Sequence, residues 1–141
     1  MKKLLLIFAA AAIAVAGYFY YFSSVKTPDN GADLSDLIQV SYPKPGQKIT
    51  SPLKISGKAR GYWFFEASFP VILTDWDGKI IAEHYAKAEG EWMTEEFVSF
   101  TSEIKFEKPA YGERGFLILK KDNPSDRREL DDSISIPVNF R

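Results

Sequence analysis

Beyond residue 36 the apolar and polar positions alternate with a period of two, the pattern of strands that bury one face and wet the other. The end of the chain shows it best: in SISIPVNF, Ile134, Ile136, Val138 and Phe140 share one side, and Ser133, Ser135, Pro137 and Asn139 the other. Pro137 has no amide proton, so this strand is expected at a sheet edge or with that position turned outward. In FVSFTSEIKF the residues Val98, Phe100, Ile104 and Phe106 fall on one face. The run through YWFFEASFPVIL reads as a strand with Phe65, Ala67, Phe69, Val71 and Leu73 on its apolar face and Glu66, Ser68, Pro70 and Ile72 on the other. It leads into TDWDG, where Asp77 and Gly78 suit a reversal, and then into a hairpin partner, KIIAEHYAKA. GFLILKK reads as a short buried strand, and IQVSY and LKISGKA bring the total to seven. PKPG and KDNPSD punctuate the series, and no helical repeat interrupts it. Seven short strands in about 105 residues predict an all-β fold, an immunoglobulin-like antiparallel β-sandwich.

The N-terminus departs from this pattern. Lys2 and Lys3 precede an uncharged apolar run from Leu4 to Phe22. About 19 helical residues cover roughly 28 Å, near the thickness of a bilayer's hydrocarbon core. The cluster Tyr18, Phe19, Tyr20, Tyr21 and Phe22 suits the membrane interface, and the lysines keep the N-terminus cytoplasmic. The same residues admit a cleaved secretory signal, because Ala14, Val15 and Ala16 form an A-x-A site. Either way one N-terminal transmembrane or signal helix is expected over residues 1–22, a flexible linker over 23–35, and the sandwich over 36–141. The sandwich is thereby placed outside the cytoplasm, on a single-pass anchor or secreted.

Composition narrows the chemistry. There is no cysteine, which excludes disulfides, thiolate zinc sites and a thiol nucleophile. The formal net charge is −1, with no concentrated basic face, which argues against a nucleic-acid partner. His84 is the only histidine and has no nucleophile motif beside it, so no catalytic residue and no enzyme activity are expected. Asp75 and Asp77 echo the start of a calcium loop, but the full pattern is missing and two carboxylates supply too few oxygens. Glu89, Glu91, Glu95 and Glu96 read as a solvated loop, as does the mixed-charge stretch from Lys120 to Asp132. Neither a metal nor a cofactor is expected. Glu66, set among aromatics, is expected to pair with a group such as Arg60 or else to meet a ligand. Trp63, Trp76 and Trp92 divide between core and surface, and an exposed one is a candidate interface residue.

The order of motifs carries a resemblance. P-x-P-G, S-P-L-x-I-x-G-x-A, W-F-F-E-A-x-F, D-x-D-G, W-M-T and K-D-N-P-S, spread over residues 38–140, resemble the immunoglobulin-like domain of bacterial spore germination proteins, the GerM-associated type. The resemblance implies an extracytoplasmic sandwich of the bacterial envelope, carried behind a signal or anchor and without established enzymatic activity. The leading functional expectation is therefore a membrane-anchored module for protein–protein interaction or envelope assembly. It carries an exposed apolar patch of roughly several hundred Å² and no deep pocket. The alternative is a cell-wall glycan binder with an exposed Trp among polar side chains. Trp63, Glu66, Trp76 and Trp92 are the candidate interface residues in both.

Overall fold

The computed structural model describes residues 33–141. The expected membrane or signal helix lies outside these residues, and among the described ones no helix is long and apolar enough to cross a membrane. A compact unit runs from Asp33 to Arg141.

Eight strands form it: β1 (Ile38–Tyr42), β2 (Gln47–Ile49), β3 (Leu53–Arg60), β4 (Ser68–Asp75), β5 (Ile80–Ala88), β6 (Phe97–Ile104), β7 (Arg114–Lys120) and β8 (Ser133–Phe140). Short 3-10 turns at Leu34–Asp36, Gly61–Trp63 and Arg128–Leu130 supply the remaining regular structure. The strands are hydrogen-bonded in the order β1-β3-β6-β5-β4-β7-β8-β2. β5 joins the two halves: it pairs with β4 from Ile80 to Lys87, but meets β6 only through Lys87 and Ala88. The sheet therefore curls on itself as a sandwich, one layer from β1, β3 and β6, the other from β4, β7, β8 and β2.

The core lies between these layers. Phe69 of β4 meets Phe100 of β6 edge-on, with ring centroids 4.9 Å apart, and Phe64 packs on Phe69 at 5.2 Å. Phe106 and Phe140 close the far end at 5.7 Å. Such tilted arrangements suit the aromatic quadrupole and add to the burial of area. Val98, Phe100 and Ile104 point inward from β6, and Ile136, Val138 and Phe140 from β8, as their alternation predicts.

Three expectations need correction. An eighth strand, β2, comes from QKI, and it pairs with β8 in parallel, so the sheet is mixed rather than wholly antiparallel. Three residues are too few to show a period, and β2 forms because Ile49 plugs into the core while its backbone covers the lower half of β8. β8 is consequently an edge only before Pro137. The Pro137 carbonyl accepts from the Gly46 amide just ahead of β2, so the proline nitrogen faces a point where no ladder bond is due.

The third correction concerns residues 61–67. Phe65 and Ala67 do not belong to the apolar face of a strand. The chain turns at Gly61–Trp63 and reverses at Glu66 and Ala67, whose φ angles are +49° and +61°. Phe65 and Ser68 close this reversal with reciprocal backbone bonds of 2.9 and 3.0 Å. Phe64 takes the core position, and Phe65 is left exposed.

Candidate functional site

The register of the second layer sets its outer surface. Residues paired across strands share a face, so three apolar rows can be read from the pairing. Tyr85 lies beside Pro70. Ile72 is flanked by Glu83 and Ile118, and Ile118 by Ser135. Thr74 lies between Ile80 and Phe116, with Pro137 beyond Phe116. Tyr85 and Ile80 are each about half exposed, Phe116 is 39 % exposed, and Ile72, Ile118 and Pro70 are half-buried by their neighbours. Thr74 is buried beneath this layer, and its Oγ1 lies 3.5 Å from the Phe116 carbonyl oxygen.

The outer surface of the first layer is unlike it. Gln39, Lys58 and Ser99 form one row, Ser56 and Thr101 a second with Tyr42 at its edge, Lys54 faces Glu103 in a third, and in a fourth Phe97 is covered by Arg60 and Lys58. One sheet is thus dressed for water and the other is apolar across its middle. Isolated exposed hydrophobics need no explanation, but a contiguous set on one sheet of a small domain marks an interaction surface. The run GFLIL, read from sequence as a short buried strand, explains itself here: Leu117 and Leu119 enter the core while Phe116 and Ile118 remain outside. FPVIL behaves likewise, with Phe69, Val71 and Leu73 inside and Pro70 and Ile72 outside. Continuous apolar runs in strands with only one covered face were the available signal.

The residues singled out from sequence are scattered over the domain. Trp63 is fully buried, so it is a core residue and not an interface candidate. Gly61 allows this: a Cβ there would overlap the carbonyl oxygens of Thr94 and Trp92, so only glycine lets the turn tuck against the β5–β6 loop. Among the described residues the Trp63 Nε1 proton has no acceptor, while its backbone carbonyl receives the Asp122 amide at 3.1 Å. Trp92 is half-buried against the core. Trp76 is 62 % exposed in the β4–β5 turn.

Glu66 stands exposed at the tip of its reversal, and it is not Arg60's partner. Arg60 instead donates from Nε to the Asp36 carbonyl at 3.0 Å, lies over the Phe97 ring at 4.1 Å, and has Glu96 at 3.9 Å. Glu66 acts on Asp122. Burial raises the Asp122 carboxyl above the ordinary carboxylate range, and the Glu66 charge adds to that rise, against a lowering hydrogen bond from the Asn123 amide.

Asp75 is committed to the hairpin. Its Oδ1 accepts from the amides of Asp77 and Lys79, both at 2.9 Å, and Gly78 takes the left-handed conformation that closes the turn. Among the described residues no group of three His, Asp or Glu side chains is disposed to hold a metal ion. The Lys120–Asp132 stretch is a largely exposed loop, internally tied by Asn123 to Arg127 and Asp131 and by an Arg127–Glu129 pair at 2.9 Å.

Comparison with known proteins gives one match. Residues 37–127 fit the family described as the immunoglobulin-like domain of bacterial spore germination, a stretch that spans β1 to β7 and ends before β8. No curated protein and no solved structure matches the chain. With nearly two thirds of its length covered, and a curled all-β sandwich over that length, the chain belongs to this family of immunoglobulin-like domains of bacterial spore germination.

Proposed function

We propose that the domain is a non-enzymatic docking module that binds an envelope protein through the outer surface of β5, β4, β7 and β8. The supporting observation is the difference between the two outer surfaces, one mostly Lys, Arg, Glu, Ser, Thr and Gln with Tyr42 at its edge and Phe97 under two cations, the other a band of Tyr85, Pro70, Ile72, Ile118, Ile80, Phe116 and Pro137. A pleated sheet surface is broad and shallow, so it matches another protein's apolar surface rather than a small molecule, which needs a cleft that buries most of it. Family membership supports the same reading, since it suggests a protein-interaction module.

The module acts outside the cytoplasm. What supports this is the uncharged run Leu4–Phe22 behind Lys2 and Lys3, long enough for one membrane span and followed by a polar connection. The working form is a bacterial single-pass membrane protein with its sandwich in the envelope, or a secreted domain if the segment is cleaved.

Photo-crosslinking in intact cells tests the docking surface. A crosslinking amino acid placed at Phe116 or Tyr85 is expected to yield a discrete protein adduct, and the same group at Gln39 or Lys58 none. Equal adducts from both surfaces, or none from Phe116 and Tyr85, would sink the proposal. Fractionation tests the anchor: the full-length chain is expected in the membrane pellet after alkaline extraction, and a shortened, soluble form would instead mark cleavage.

A further inference from the structure

A second surface lies at one end of the sandwich, where the β1–β2, β2–β3, β4–β5 and β6–β7 connections meet the end of β8. Trp76 stands out here, and Tyr111 is 86 % exposed on the neighbouring loop. Trp76 is nevertheless held. Gly112, at φ +82°, backs the indole so closely that a Cβ on it would come within 2.9 Å of Cδ1 and 3.3 Å of Nε1. The ring is seated on backbone at one side and open to solvent over most of its area.

Trp76 and Gly112 line an open groove together with Glu113, Arg114 and Asn139. Asn139 is oriented by donating its Nδ2 proton to the Gly46 carbonyl at 2.6 Å, which leaves its Oδ1 as an acceptor. Arg114 forms no ion pair among the described residues. The groove therefore presents one fixed aromatic ring, one amide oxygen, one carboxylate and one uncommitted guanidinium.

Topology also separates charge between the two ends. At the groove end the connecting segments and the chain end carry Lys44, Lys79, Lys105, Lys108 and Arg141 against Asp77, Glu107 and Glu113. At the other end, residues 33–37, 61–67, 89–96 and 121–132 hold three basic residues against twelve acidic ones. An anionic ligand is drawn to the first end and repelled by the second.

We propose that this groove binds an acidic glycan. The apolar C–H face of a pyranose ring stacks on Trp76, a carboxylate substituent pairs with Arg114, and ring hydroxyls donate to Glu113 and to Asn139 Oδ1. A purely apolar protein partner would have no use for three polar side chains around one indole, and a simple anion would have no use for the indole. The groove continues the docking surface by one row, since Arg114 and Asn139 pair one step beyond Phe116 and Pro137 on the same face, but it uses different side chains, and loss of glycan binding and loss of the protein adduct are read out separately.

The test uses the full-length chain in detergent micelles, with an oligogalacturonate as acidic probe and an N-acetylglucosamine oligomer as neutral control, followed by tryptophan fluorescence and calorimetry. The acidic oligomer is expected to bind and to perturb the fluorescence. Trp76→Ala should weaken it by at least about tenfold, and Arg114→Gln should weaken the acidic oligomer while leaving the neutral one unchanged. Unchanged melting temperatures of both variants would show that the fold is intact. Absence of binding to the acidic probe, or binding that survives Trp76→Ala, overturns the proposal. Equal binding of both oligomers, insensitive to Arg114→Gln, overturns its acidic specificity.

Discussion

Ala67 carries a conformation that its side chain does not favour. Both central positions of the Phe65–Ser68 reversal need positive φ, a geometry usually given to Asn and Gly, and here filled by Glu66 and Ala67. The left-handed conformation costs an L-residue about 1–2 kcal/mol, and glycine gives back part of that in unfolded-chain entropy. Ala67→Gly is therefore expected to raise stability by about 0.5–1 kcal/mol in denaturant titration. Gly61→Ala should act in the opposite direction, by about 2–3 kcal/mol, because its Cβ meets backbone carbonyls that cannot rotate away. Asp122 makes stability depend on pH. Its carboxyl titrates higher when folded than when unfolded, so within that interval the folded state holds a proton that the unfolded state has lost, and stability falls as pH rises. Asp122→Asn should consequently be more stable than the parent at about pH 7, with the difference gone below the ordinary carboxylate range of about 3.9. A gain that persists unchanged in acid would point to another cause.

Among the strands, β2 and β5 decide the architecture although neither is the most apolar. β2 is short, yet its Ile49 is almost wholly buried and its backbone caps the lower part of β8. Ile49→Ala removes that plug. The expected loss is about 2–4 kcal/mol, accompanied by faster amide exchange along β2 and the end of β8. Protection that stays unchanged there would show that β2 is held by its hydrogen bonds alone. β5 does different work: its passage from β4 to β6 turns two layers into one curled sheet and leaves Tyr85 and Ile80 on the outer surface of the second layer.

The assembled domain is asymmetric in two directions. Across its thickness one outer surface is polar and the other apolar, and along its length one end is basic and the other acidic. Phe116→Glu should cost only about 1 kcal/mol, since the Phe116 ring is partly covered and outside the core, while abolishing the adduct formed by a crosslinker at Tyr85. Ser99→Glu, on the polar surface, should leave that adduct intact. Loss of the adduct in both variants would mean that general acidity, not the apolar band, controls docking.

Much of this could be read before any coordinates. Alternation in SISIPVNF and FVSFTSEIKF assigned inward residues correctly, since a strand's period of two is a local property of the backbone, and TDWDG announced its turn through Asp and Gly. The motif order pointed to the family. Other features depend on what the chain meets far along its length. Trp63 and Trp76 are the same residue type, and only the packing of the Gly61 turn against the β5–β6 loop buries one while the β4–β5 turn exposes the other. Glu66–Ala67 hides a reversal because neither residue advertises positive φ. The apolar band was written in FPVIL and GFLIL, but a continuous apolar run is equally the mark of a strand covered on both sides. Which outer surface goes uncovered is settled by strand order, a sum of long-range pairings that no local pattern contains.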